Sequence, residues 1–405
     1  MIWDKGVKVA APAPTTAQTQ LPVVSAAADF AATSDCKLGK PASQPLDEGP
    51  TGSVGFPKTS EELTSSGVLN GLILFADFPD VVATGDLKSP WQNSSIPIAE
   101  KQFAYSSYGK LKLKIDLSSK IYRIQKASTY YSLGADPSGG PIPGAPPPKL
   151  DEVVTDALSA ADSEIDFSKY AFVTVATPQS PSLAISGAVG MGPNPKTFDG
   201  VTYTQGDFMP LDALTPITSP LKTINFTHDI GHMLGLMHPY VDRSDIHGAW
   251  DVMWSFAFQR DFLGWNKWKL DWITDDQVSC LNSDSSAQIT QLLSPIGVTA
   301  KDKKMVVIKL SPTSALAVEV RRKTPFEDLK QSDEGVIVYR VDTTKGQGLG
   351  AYSIVSNPNK SITNQSFPEV LGTMKPGESV TDSGYVIKVL QSTSVGDYVT
   401  VKKAA

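Results

Sequence analysis

Cysteine is scarce in this chain, and so are histidine, net positive charge and long apolar runs. Two cysteines occur in 405 residues, Cys36 and Cys280. A densely crosslinked scaffold is therefore excluded, and a chain of this length can bury enough apolar surface for two or three domains without one. One long-range disulfide and two unpaired thiols both remain open, because spacing alone does not decide pairing. Lys and Arg number 36 against 42 Asp and Glu, a formal charge of -6. Phosphate contacts need clustered positive side chains, so nucleic acid is excluded as a partner. No run of about 18 apolar residues occurs, so no transmembrane segment is expected. Met1 to Lys8 lacks the apolar core of a secretory signal.

Glycine and proline are plentiful, 31 and 30 respectively, which suits a loop-rich globular chain. Residues 1 to 57 are expected as a disordered leader or linker: from residue 9 onward Ala, Pro, Thr, Ser and Gln dominate and few large apolar side chains are available to bury. The folded part is expected to begin near Phe56. Val68 to Phe78 reads as a buried strand closed by the turn at Pro79 and Asp80, and Ile98 to Tyr108 as a helix stopped by Gly109. Lys110 to Leu117 alternates apolar and polar residues like a half-exposed strand. Lys149 to Ser163 reads as a helix with Val153, Val154, Ala157, Leu158 and Ala161 inward, and Tyr170 to Ala176 as a second buried strand. An α/β layer architecture is expected for residues 58 to 240. From Asp302 onward short β-type segments separated by turn residues suggest an all-β, sandwich-like C-terminal domain.

The chemistry concentrates in Thr227 to Tyr240, THDIGHMLGLMHPY. On a helix spanning Leu221 to Leu234, His228 and His232 project from one face a turn apart, which aims two imidazoles at one cation. Gly235 supplies the permissive backbone that ends such a helix and lets His238 return as a third nitrogen ligand. Three neutral imidazoles leave one tetrahedral position open, where a zinc-bound water has its pKa lowered to about 7. The chain has only four histidines, all between 228 and 247, so the cluster is not a chance scatter. His247 is the leftover, an accessory candidate.

This segment resembles the metzincin signature, H-E-x-x-H-x-x-G-x-x-H, and its surroundings resemble secreted bacterial metalloproteases of the immune-inhibitor-A type. The likeness runs through GLILFADFPD at 71 to 80, YSSYGKLKLKI at 105 to 115, HGAWDVMWSF at 247 to 256, FLGWNKWKLDWI at 262 to 273 and EGVIVYRVD at 334 to 342. It implies a metzincin-like zincin catalytic domain over residues 58 to 285, its lower part following residue 240, and a β domain over 286 to 405. It also implies a secreted zinc metalloendopeptidase acting on polypeptides, with Met253 as the Met-turn residue beneath the metal. Trp250, Trp254, Trp265, Trp268 and Trp272 are expected to pack the lower part. Some relatives bind calcium, but no Asp-rich loop here has the Ca-loop spacing.

The sequence departs from the signature at Asp229, where the family carries Glu as general base. Asp offers the same carboxylate but is one methylene shorter, drawing its oxygens back by about 1.5 Å. A slower enzyme is one consequence; a zinc-binding pseudoprotease serving as a surface or binding module is the other. Some metzincins place Tyr two residues after the Met-turn methionine, whereas this chain has Ser255, leaving Tyr240 as an accessory candidate. A His-Asp phosphohydrolase, suggested by the pair His228 and Asp229, needs an upstream histidine that this chain lacks.

Overall fold

The computed structural model describes residues 21–40, 53–59, 62–135, 142–191, 195–211, 224–238, 250–254, 260–283, 288–360 and 372–404. Its first half is built on a mainly parallel sheet. Strand β1 (Gly67–Asp77) is the near-continuous apolar run, buried along most of its length because both its faces are covered. Beside it lie β2 (Leu111–Leu117) and β4 (Phe172–Thr177), both parallel to β1, with β3 (Tyr122–Arg123) extending the end of β1. The edge is completed by β8 (Gln205–Pro210), parallel to β4, and by β5 (Gly187–Gly190), which runs antiparallel to β8. A separate small hairpin joins β6 (Thr197–Phe198) to β7 (Val201–Thr202).

Helices cover both faces. A short turn α1 (Lys88–Pro90) leads through a π-turn into α2 (Ile96–Ser106), while α3 (Leu150–Ala161) crosses between β3 and β4. The alternation of β1 sorts its side chains between them. Leu69, Ile73 and Phe75 meet Phe103 of α2 and Phe226 and Ile230 of α4 (Asn225–Met233). Leu72, Leu74 and Ala76 meet the inner side of α3, formed by the five residues expected there. Among the described residues no helix is long and apolar enough to cross a membrane.

The second half is strand-rich. After the six-residue helix α5 (Gly264–Lys269), strand β9 (Val278–Asn282) pairs with β11 (Met305–Lys309) in parallel. β12 (Ser314–Arg321), β13 (Gly335–Asp342) and β14 (Tyr352–Ile354) continue this five-stranded sheet antiparallel. A second, antiparallel sheet has the order β10 (Ile289–Leu293), β17 (Asp397–Lys403), β16 (Tyr385–Ser392), β15 (Ser379–Asp382). Val306, Ile308, Leu316 and Val318 from the first sheet meet Ile387, Val389, Val399 and Val401 from the second in one apolar cluster. The opposite face of the five-stranded sheet packs on Trp250, Trp265 and Trp268. Because β9 belongs to this sheet, the sheet begins before the boundary expected at residue 285.

The leader expected over residues 1 to 57 needs correction where it is described. Cys36, Leu38 and Val54 are buried in the same cluster as Trp265 and Trp268. Cys36 is disulfide-bonded to Cys280, which settles the pairing left open by sequence. Ala31 donates its amide to the Cys280 carbonyl at 2.9 Å, and Phe56 donates to Leu38 at 2.7 Å. Composition misses this because three apolar side chains and one covalent bond anchor a stretch that is otherwise polar.

The disulfide closes a sequence separation of 244 residues, so it constrains the unfolded chain strongly. Replacing both cysteines by Ala is expected to cost about 2–5 kcal/mol. Urea denaturation of the double variant measures it, and a midpoint equal to wild type would refute the contribution.

Candidate metal centre

Helix α4 earns its position from Phe226, Ile230 and Met233, which face the apolar cluster under the sheet. Its end is closed by a two-bond cap. Gly235 has a φ of 89° and donates to the His232 carbonyl at 2.8 Å, while Leu236 donates to the Gly231 carbonyl at 3.0 Å. Two outside groups take further carbonyls at this end: the Leu63 amide bonds Met233 at 2.9 Å, and the buried Lys269 ammonium bonds Gly235 at 2.6 Å. Glu62 lies 3.7 Å from Lys269. Burial lowers the Lys269 pKa to about 8, with Glu62 opposing the shift. The expected helix start at Leu221 lies outside the described residues.

The cap turns the chain so that His238 faces the helix, as the spacing predicts. The three Nε2 atoms of His228, His232 and His238 stand 2.9, 3.0 and 3.1 Å from one another. Each helix histidine is anchored through its other nitrogen, His228 Nδ1 to the Val252 carbonyl at 2.8 Å and His232 Nδ1 to the Leu236 carbonyl at 2.9 Å. A carbonyl only accepts, so Nδ1 carries the proton in both rings and both Nε2 atoms present lone pairs. One proton on His238 cannot satisfy two facing lone pairs, whereas a divalent cation of the zinc type fits this donor set. Burial first, and His228 second, pull the His232 pKa down to about 3, which keeps that ring neutral and ready to ligate. His238 is held in turn by the Gly348 amide, which donates to its carbonyl at 3.1 Å from the turn between β13 and β14.

Asp229 follows the first histidine and is buried. Burial, then the neighbouring Asp207 of β8, push its carboxyl well above the usual range. Asp207 is itself pushed up to about 7 by burial, although the Thr174 hydroxyl donates to it at 2.8 Å. Two neighbouring carboxyls in one dry space disfavour both being ionised at once. A cation on the histidines acts in the opposite sense by stabilising the ionised form.

Met253 is fully buried against the helix, and a Cβ built on Gly231 would stand 2.3 Å from its sulfur. The methionine therefore lies against the turn of helix joining the two ligand-type histidines. Trp250, Trp265, Trp268 and Trp272 are buried packing residues, and Trp254 is half-buried. Tyr240, His247 and Ser255 fall outside the described residues.

Sequence reasoning missed Gly231, Asp207, Asp251 and Lys269. Gly231 left a signal, since glycine inside a helix costs about 1 kcal/mol against alanine and implies a packing reason. Asp251, two residues before Met253, accepts the Met253 amide at 2.7 Å and those of Leu263 and Asn266 at 2.6 and 2.8 Å. Nothing local in the sequence marks that role. Asp207 and Lys269 reach the site only through the fold.

No family model matches the chain, and no curated protein matches it in sequence. Among solved structures, it is similar to archaemetzincin from Methanopyrus kandleri at 18% identity and a TM-score of 0.27, over 50% of this chain and 94% of that one. It is similar to OgpA from Akkermansia muciniphila at 9% identity and a TM-score of 0.33, over 76% of this chain and 96% of that one. Overlaps this loose carry no functional weight, so function is read from the site.

Gly231→Ala tests the packing beneath the histidines. Helix propensity alone favours alanine by up to about 1 kcal/mol, but the clash with Met253 is expected to reverse the sign and destabilise by about 1–3 kcal/mol. Adding Met253→Val should recover more than half of the loss in urea unfolding. Stability that rises in the single variant would contradict the packing.

Proposed function

We propose that this chain is an exported zinc-dependent endopeptidase of the metzincin kind. The observation that carries the reading is the convergence of three Nε2 atoms within 3.1 Å of one another, with His228 and His232 both presenting lone pairs to the shared space. His228, His232 and His238 would hold the metal. When bound there, zinc supplies Lewis acidity, polarising a carbonyl and lowering the pKa of a coordinated water to about 7. Asp229 accepts the proton released by the attacking water and returns it to the leaving amine. Asp207, behind it, holds charge near Asp229 that the cation offsets. Met253 serves as the Met-turn residue, a rigid apolar floor under α4.

A polypeptide substrate is supported by β5. Among the described residues it pairs only with β8, so its outer edge offers free backbone donors and acceptors to an extended chain. Export is supported by the Cys36–Cys280 disulfide, since such bonds persist mainly in oxidising compartments. The high pKa of Asp229 favours one rival: a site that keeps zinc without turnover and acts as a binding module.

Two measurements separate these readings. Elemental analysis should find about one zinc per chain in wild type and far less in His232→Ala. Absence of stoichiometric transition metal from the wild type removes both readings. Cleavage of casein or a quenched peptide should vanish with chelator and fall by about 10² to 10⁴ in Asp229→Asn, which retains its metal. Asp229→Glu should cleave faster than wild type, because its longer side chain reaches the water. Metal-loaded wild type and Asp229→Glu that are both inert would leave the binding module standing.

A further inference from the structure

We propose that Asp251 is a positioning residue of the metal centre, with Asn266 and Tyr352 behind it, so that a hydroxyl on the five-stranded sheet helps orient His228. The inference rests on the reading that the three histidines hold a divalent cation. Its basis is one peptide unit. The Val252 carbonyl, which accepts His228 Nδ1 at 2.8 Å, and the Met253 amide, which donates to Asp251 Oδ1 at 2.7 Å, belong to the same planar group. Fixing the amide end therefore fixes the direction of the carbonyl end. A rotation of that plane withdraws the acceptor from His228 and frees its ring to turn.

The carboxylate is immobilised from its other side. Asp251 Oδ2 accepts the Leu263 amide at 2.6 Å and Asn266 Nδ2 at 2.8 Å. Asn266 is itself oriented by the Tyr352 hydroxyl of β14, which donates to its Oδ1 at 2.6 Å. This bond makes the amide group point its nitrogen at Asp251 and its oxygen at Tyr352, removing the ambiguity of a freely flipping side chain. Asp251 is wholly buried, as are Asn266 and Tyr352 to within a few per cent, so no solvent competes for these bonds. Tyr339 provides an internal control. Its hydroxyl is equally buried, accepts the Trp265 amide of α5 at 3.1 Å and donates to Glu319 at 2.9 Å, so it supports the same helix but has no bond to Asp251 or to the Asn266 side chain.

Metal-stripped full-length protein titrated with Co2+ tests this, reading both affinity, by chelator competition, and the visible absorption bands of the bound ion. Asp251→Ala is expected to weaken Co2+ binding by roughly ten- to a hundred-fold, the usual cost of losing a group that orients a ligand. Asp251→Asn, which keeps an acceptor oxygen for Met253, should recover part of that loss. Tyr352→Phe should show a smaller loss in the same direction with shifted bands, and it decides the matter if the Asp251 variants do not fold. Tyr339→Phe should lower thermal stability while leaving affinity and bands unchanged. Folded Tyr352→Phe with wild-type affinity and spectrum overturns the proposal, and so does an equal change in Tyr339→Phe. Wild-type protein that takes up no Co2+ defeats the metal reading itself, a result distinct from either.

Discussion

Two hydrogen bonds from imidazole Nδ1 to backbone carbonyls, His228 to Val252 and His232 to Leu236, fix the chemistry on which the rest of the site depends. They choose the tautomer, and the tautomer decides which nitrogen faces inward. Without them each ring could place a proton in the shared space and three histidines would make an ordinary hydrogen-bonded cluster. With them, lone pairs meet at distances near 3 Å, an arrangement that neutral groups alone do not stabilise. Both carbonyls come from non-helical backbone, one from the cap that ends α4 and one from the turn before Met253. The correct ends of two loops therefore matter as much as the helical spacing of the histidines.

That dependence explains which parts of the site were legible in the sequence. Spacing of four residues on a helix is a local rule, and so is a glycine that ends one, which is why His228, His232, Gly235 and the return of His238 were readable in order. Met253 was singled out only through family likeness, since a methionine among tryptophans otherwise signals core. Asp207 lay beyond reach because its strand has no distinctive pattern and meets α4 only after β4 and β8 have paired. Lys269 and Glu62 were invisible for the same reason: their contact joins residues more than 200 positions apart and forms only once the fold is assembled.

The fold shows a similar division. Strands and helices with clear periodicity, such as β1, β2 and α3, lie within a few residues of expectation because burial on one or both faces is written in their alternation. The N-terminal stretch is the contrary case. Cys36, Leu38 and Val54 are too few to give a periodic signal, yet they occupy the apolar cluster between α5 and the five-stranded sheet. Sparse anchors can order a polar segment more readily when one is covalent, because the disulfide removes part of the entropy that the others would otherwise have to overcome.

Helix α5 joins these two themes. Six residues do not make a stable helix in water, so its existence must come from packing. The packing is partly ionic: Lys267 meets Asp261 at 2.6 Å, and Arg321 meets Glu319 at 2.8 Å and Glu327 at 2.5 Å, all buried. Buried ion pairs seldom add net stability over apolar residues of the same shape, because desolvation offsets most of the attraction. What they define is orientation, since a displaced helix would strand several charges without partners. That orientation is consequential here, for the same short helix sends Asn266 to Asp251 beneath the histidines and Lys269 to the Gly235 carbonyl at the end of α4. An ionic arrangement of little net energy thus sets the positions of both loop ends from which the histidine rings take their direction.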